Sequence, residues 1–158
     1  MEIFLLGMTV RKIFDRPKFA LQFVSHCQTT SKREIYIEEL KRHMNLTQLG
    51  ACIAGRCSPE CEKVAVAEHK FYLAFENSIC RDYVTEKMFY RLGHLLPVVL
   101  KRSTYAGIVP SDAFVAADDF ECPEQLAKHL KFLSTNYTAF SSSVKSLFSS
   151  LGLMYTLF

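Results

Sequence analysis

The segment Phe71-Tyr72-Leu73-Ala74-Phe75 is the stretch that most limits how this chain can fold. Five apolar residues in a row, three of them aromatic, have the length and composition of a buried strand. The run stops at Glu76-Asn77-Ser78, a polar cluster that closes a strand and opens a loop. Arg81, Asp82, Tyr83, Thr85, Glu86 and Lys87 follow, and Met88, Phe89 and Leu92 then resume an apolar, helical spacing. The order is strand, polar loop, helix start. In an open α/β sheet, ligands sit outside the carboxyl ends of strands, where helix N-termini offer free N–H groups to phosphate. A lysine placed there adds positive charge for a diphosphate.

The rest of the chain repeats this unit. Phe19 to Ser25 reads as a strand, followed by a polar loop from His26 to Thr30. Ser31-Lys32-Arg33-Glu34 matches a capping box, so a helix is expected from there to about His43, with Ile35, Leu40 and Met44 facing inward. Asn45 to Lys63 reads as an irregular loop with one short strand near Ala51 to Ile53, and Val64 to Ala67 as a turn or the end of a short helix. A helix is expected over Val84 to Leu92, ending at Gly93. Leu95 to Leu100 suits a buried parallel strand with Pro97 at its start, because proline cannot donate to an interior ladder. Lys101 to Asp112 reads as a loop, Ala113 to Ala116 as a strand, and Asp118-Asp119 as a strand-end turn. Cys122-Pro123-Glu124 opens a helix whose apolar face is Leu126, Leu130 and Leu133. Strands alternating with helices imply an α/β fold: a Rossmann-like, mostly parallel sheet with flanking helices. Met1 to Lys18 reads as a lead-in or linker, 19–140 as the α/β domain, and 141–158 as a divergent tail. The tail either packs back as a helix or stands exposed.

Composition narrows the function classes. A chain of 158 residues, 49% of them hydrophobic, fills one domain. The net charge of +3 is spread in isolated pairs, Lys41-Arg42 and Lys101-Arg102, which read as solvated surface charge and give no support to nucleic-acid binding. No run approaches the ~20 apolar residues of a spanning helix, so any membrane anchor lies outside this sequence. Among six cysteines, Cys52, Cys57 and Cys61 form a tight trio. The trio lacks the paired knuckles of a zinc ribbon, and disulfides in an oxidising lumen fit it better than zinc. Sequons at Asn45-Leu46-Thr47 and Asn136-Tyr137-Thr138 point the same way. His26 and His69 read as structural or surface residues. Glu76 is either a buried structural carboxylate or a ribose ligand.

FYLAFENS followed by DYVTEK resembles the signature of the α1,3/α1,4-fucosyltransferases, which use GDP-fucose. The resemblance runs from about Phe19 to about Phe140 and includes FVSHC, PVVL and the SDAF…DDF block. It implies the C-terminal, donor-binding half of a GT-B glycosyltransferase. The implied reaction is inverting α1,3-type transfer of fucose from GDP-fucose to a hydroxyl of an N-acetylglucosamine-containing glycan, in the Golgi. By the same resemblance Lys87 and Arg33 contact the diphosphate. Glu86 lies by the fucose ring as the catalytic carboxylate, and Asn77 and Tyr83 contact the donor. No tightly bound cofactor is implied, and no motif demands a metal. The acceptor lobe and its general base have no counterpart here, so the chain is expected to be a truncated donor lobe. The alternative is a non-catalytic GDP- or GDP-fucose-binding module, or an interaction module that associates with a full-length relative.

Overall fold

The computed structural model describes residues 2–53, 55–76 and 94–155. Its centre is a five-stranded parallel sheet: β1 (Lys18–Phe23), β2 (Leu46–Leu49), β3 (His69–Leu73), β4 (Leu96–Val99) and β5 (Val115–Ala116), in the spatial order β2-β1-β3-β4-β5. Helices α1 (Glu2–Phe14), α2 (Arg33–Leu40), α3 (Pro59–Glu68), α4 (Pro123–Thr135) and α5 (Tyr137–Tyr155) connect and flank it. The α/β reading of the sequence therefore holds.

The apolar run at β3 is explained by burial on both faces. Phe71 and Leu73 join a core with Leu96, Val98, Ile37, Leu40, Leu126, Leu130, Phe140 and Val144. Tyr72 and Ala74 point the other way, into a second core with Leu21, Leu95, Val99, Tyr105 and Phe114. With a side-chain period of two, a strand buried on both sides needs apolar residues at every position. Rings fix the first core: Phe71 lies 5.1 Å from Phe19 and 5.8 Å from Phe140, centroid to centroid.

Several local expectations are corrected. The lead-in is α1, whose Val10 and Ile13 are buried; Phe14 packs edge-on against Tyr137 and Phe140 of α5. Val144 and Leu147 are buried in turn, so the serine-rich segment packs back as a helix. The second strand lies at Leu46–Leu49, not near Ala51 to Ile53, because positive-φ Gly50 ends it and bridges to Gly55. Ile35 faces outward at 66% exposure, and Arg33, Ile37 and Leu40 form the inner face of α2 instead. Pro97 is the second residue of β4; it pairs with Tyr72, and β5 joins only from Val98. Pro123 opens α4 as expected, with Leu126, Leu130 and Leu133 buried. The helix expected over Val84 to Leu92 lies outside the described residues.

Two disulfides form, as expected in place of a zinc site: Cys27–Cys52 ties the loop after β1 to the loop after β2, and Cys57–Cys61 closes the entry to α3. Cys122 is free, and Cys80 lies outside the described residues. His69 is buried and structural. Its Nδ1 meets the Ala65 carbonyl at 2.6 Å and its Nε2 the Thr47 hydroxyl at 2.8 Å. Burial lowers its pKa, which favours the neutral ring that can donate at one nitrogen and accept at the other.

Candidate functional site

Strand order creates the site. From β1 the chain crosses to β2 on one side, then returns to β3 on the other. The loops leaving the carboxyl ends of β1 and β3 therefore diverge, opening a crevice of the kind that binds ligands in open α/β sheets. Glu76 lies just past the end of β3, and the segment from Val24 to Arg33 forms the other wall.

Arg33 spans the crevice. It is 2% exposed, and its guanidinium donates to the Phe75 carbonyl and, at 3.4 Å, to the His26 carbonyl. One side chain thus joins the ends of β1 and β3. Burial pulls its pKa down, opposed by the charges of Tyr72, Glu34 and Glu76. Arginine nevertheless stays protonated, with five N–H donors in a fixed fork. Its burial rules out a solvated surface role for Arg33.

The capping box does not form. Lys32, not Ser31, is the N-cap of α2, with a left-handed φ of 51° and no side-chain cap bond. Ser31 Oγ is drawn across the crevice and donates to the Glu76 carbonyl at 2.8 Å. Glu34 reaches back to Thr29, accepting from its N–H at 3.3 Å and its hydroxyl at 2.8 Å. Hydrogen bonds from its own backbone N–H and from Thr29 hold the Glu34 carboxyl below its usual range. A left-handed, non-glycine residue costs about 1–2 kcal/mol. Here it accompanies the turn that brings Arg33 onto the sheet.

Glu76 is 4% exposed and accepts a hydrogen bond from Tyr105 Oη at 2.9 Å. Burial first, and then the charge and hydrogen bond of Glu76, push the tyrosine hydroxyl far above its ordinary value, so it remains a donor. Tyr105 was missed from sequence because it is 29 residues from Glu76, in what reads as a featureless loop. Its only signal was a large aromatic among small residues. Tyr105→Phe removes the donor from a buried acceptor and is expected to cost about 1–3 kcal/mol of stability, read by urea denaturation. A variant as stable as the native chain would show that the bond contributes nothing net.

Arg102 was also misread as solvated charge. It forks onto Asp119, with Nε–Oδ1 2.8 Å and Nη2–Oδ2 2.5 Å, lies 4.7 Å over the Phe114 ring, and donates to the Ser111 carbonyl. Its backbone N–H donates to Asp118 at 2.8 Å. The two aspartates thus form a strand-end turn, as expected, and tie the β4 and β5 loops together. Among the described residues no group of three or more His, Cys, Asp or Glu is placed to hold a metal. Of the site residues implied by the sequence, Arg33 stands in the crevice. Asn77, Tyr83, Glu86 and Lys87 lie outside the described residues, although Asn77 directly follows Glu76 in the chain.

Residues 13–145 match the family model described as "Glycosyltransferase family 10 (fucosyltransferase) C-term". The chain belongs to this family. The matched stretch is wider than the 19–140 domain expected from sequence and takes in the end of α1 and part of α5. The chain is similar to Alpha-(1,3)-fucosyltransferase fut-1 of Caenorhabditis elegans, 39% identical over 131 residues that cover 79% of this chain and 30% of that protein. It is also similar to Alpha-(1,3)-fucosyltransferase 4 of Bos taurus, 40% identical over 122 residues that cover 74% of this chain and 31% of the relative. The chain therefore spans about a third of the length of the relatives it matches. A crystal structure of an alpha1,3-fucosyltransferase aligns with TM-score 0.70 and 23% identity, over 84% of this chain and 38% of the other. The form of that structure described as with GDP-fucose aligns with TM-score 0.67 and 22% identity. These alignments establish the fold, the C-terminal part of a GT-B architecture.

Proposed function

We propose that this chain is the GDP-fucose-binding lobe of an α1,3-type fucosyltransferase. The observation that carries the reading is the family match across 13–145, together with buried Arg33 bonded to the Phe75 carbonyl at the β1/β3 crevice.

In the proposed reaction a hydroxyl oxygen of an N-acetylglucosamine-containing glycan attacks the anomeric carbon of fucose. The bond from that carbon to the β-phosphate oxygen breaks, and the configuration inverts. The electron pair leaves with GDP, and the hydroxyl proton passes to a base for which no residue of this chain is put forward. Negative charge therefore grows on the diphosphate as the ring becomes oxocarbenium-like. Arg33 and Lys87 meet that negative charge, Arg33 through its forked N–H groups and Lys87 as a point charge. Glu86 steadies the positive ring, and Asn77 and Tyr83 hold the donor. The two disulfides suit an oxidising compartment, and Golgi residence is part of the proposal. Among the described residues no helix is long and apolar enough to cross a membrane.

Calorimetric titration of the purified chain with GDP-fucose tests the reading, beside Lys87→Ala and Glu86→Ala. The native chain is expected to bind, and Lys87→Ala to weaken binding by about tenfold, the value of one charge-assisted contact. Glu86→Ala is expected to change ground-state affinity little, because its role is to meet charge that develops later. A folded native chain that does not bind GDP-fucose would sink the proposal. Binding without fucose transfer is the behaviour expected of the alternative, a binding module that carries the donor site alone.

A further inference from the structure

Two acceptor sequences for N-linked glycosylation, Asn45-Leu46-Thr47 and Asn136-Tyr137-Thr138, take no part in the proposed donor site. The fold treats them differently. Asn45 is exposed and stands directly before β2, at the amino end of the parallel sheet and away from the crevice. Among the described residues no hydrogen bond engages its side chain. It lines a groove of about 330 Å³, where the half-buried ring of Phe19 meets the polar groups of Lys70 and Ser134. Apolar surface with a few placed polar groups is the kind of lining that seats a sugar ring. Asn136 is half-buried at the junction of α4 and α5. Its Oδ1 accepts from Ala139 N–H at 3.0 Å and caps α5, and its own N–H donates to the Phe132 carbonyl at 3.0 Å, at the end of α4. Tyr137, the middle residue of that sequence, lies edge-on to Phe14 at 5.3 Å, with the Arg11 guanidinium 5.1 Å from its ring. A glycan on Asn136 would have to leave through packed side chains, whereas one on Asn45 leaves into solvent.

We propose that Asn45 carries an N-linked oligosaccharide that shields the open edge of β2, and that Asn136 stays bare as a helix cap. The inference rests on the secretory-pathway part of the reading above, which the two disulfides support. In the modification, Asn45 Nδ2 bonds to the anomeric carbon of an oligosaccharide carried on a polyprenyl diphosphate. The bond from that carbon to the diphosphate oxygen breaks, the diphosphate leaves with the electron pair, and Nδ2 gives up one proton. The hydroxyl of Thr47 binds His69 Nε2 at 2.8 Å in the folded chain, so the acceptor sequence is free for transfer before β2 docks and is tied into the sheet afterwards. The edge supplies the reason for a glycan here. β2 is the outermost strand, and among the described residues only β1 pairs with it. Such an edge offers unpaired N–H and C=O groups to a second chain, and proteins usually blunt it with charge or proline. Leu46-Thr47-Gln48-Leu49 has neither. Four residues of strand span only about 13 Å, so a bulky, hydrated glycan rooted at the preceding residue overhangs the whole edge.

The test is expression of the whole chain behind a secretion signal in mammalian cells, as native protein, Asn45→Gln and Asn136→Gln. Each is treated with the amidase that removes N-linked glycans and converts the carrier asparagine to aspartate. The native chain is expected to lose the mass of one glycan, and its peptides to show aspartate at position 45 and asparagine at 136. Asn45→Gln is expected to lose no mass. Asn136→Gln is expected to lose as much as the native chain, while melting a few degrees lower because the cap of α5 is gone. Light scattering reads the shielding: removal of the glycan is expected to raise the mean mass of the protein part about twofold or more at equal concentration. A secreted, disulfide-bonded chain with a bare Asn45, or with a glycan on Asn136, would overturn the assignment. Unchanged association after glycan removal would overturn the shielding. If Asn45→Gln is not secreted, peptide mapping and amidase treatment of the native chain still decide both points. GDP-fucose affinity is expected to be equal with and without the glycan, because Asn45 lies at the other end of the sheet from the crevice. Absence of GDP-fucose binding in both forms would sink the donor-lobe reading and leave the glycan site standing.

Discussion

Arg33→Ala is expected to weaken GDP binding by about a hundredfold and to destabilise the fold by about 3 kcal/mol, the largest combined effect of any single change at the site. The stability loss follows from the Arg33 side chain's two anchors. Its removal strips a charged donor from the carbonyls of Phe75 and His26, which terminate the segments leaving β3 and β1. A hydrogen bond to a charged group contributes about 1.5–3 kcal/mol, and a buried carbonyl without a donor adds its own penalty. The affinity loss follows from the fork that a diphosphate would meet. Arg33→Lys keeps the charge but not the planar set of donors, so it is expected to recover part of the affinity and little of the stability. Lys32→Gly is the control. It removes a neighbouring positive charge at a backbone position with φ 51° that glycine adopts freely, so it should leave stability equal or higher. Calorimetry with GDP and urea denaturation read the two effects separately. If Lys32→Gly lowers GDP affinity as much as Arg33→Ala does, the phosphate contact belongs to the exposed lysine, and Arg33 is structural only.

The contrast between those two adjacent residues shows which parts of this molecule the sequence carries openly. Runs buried on both faces are legible: β3 and β4 stand where their apolar stretches lie, because any other placement would expose Phe71, Tyr72, Leu96 or Val98. The helix α4 is legible through Pro123 and its leucine face. Elements whose burial depends on a distant partner are not. The helix α1 is invisible in its own sequence, because Val10 and Ile13 are covered by a helix more than a hundred residues later. Ser31 carries a capping signal that a carbonyl across the crevice outcompetes, since Ser31 donates to Glu76 instead. The family resemblance pointed to Arg33, but nothing local foretold that its guanidinium would be buried as a brace. Tyr105 against Glu76 and Arg102 against Asp119 are long-range pairs between loops, and neither loop has a period from which to predict them.

The second large effect is expected at Gly50, where a single methyl group should cost about 3 kcal/mol. Gly50 follows β2 with φ 123°, a conformation that side chains rarely adopt, and it sits against the backbone of Val24. A Cβ there would fall well inside contact distance of the Val24 carbonyl oxygen and 2.9 Å from the carbonyl carbon. That carbonyl cannot retreat freely. Val24 N–H is bonded to the Leu49 carbonyl at 2.7 Å, its carbonyl accepts from Cys52 N–H, and Cys27 three residues on is bridged to Cys52. Strain of this kind costs about 1–3 kcal/mol from the backbone conformation, and overpacking against a fixed wall adds a similar amount. Thermal melting of Gly50→Ala should therefore fall by roughly 6–12 °C, at the 2–4 °C per kcal/mol of a chain this size. Gly107→Ala separates the two contributions. Gly107 also has positive φ, 78°, but a Cβ there meets nothing within 4 Å, so only the conformational part applies and a drop of a few degrees is expected. Equal losses at both glycines would show that the close approach to Val24 is not what Gly50 provides. A much larger loss at Gly50, with weakened GDP binding, would mean that the packing of β2 against the β1 loop sets the wall on which Arg33 depends.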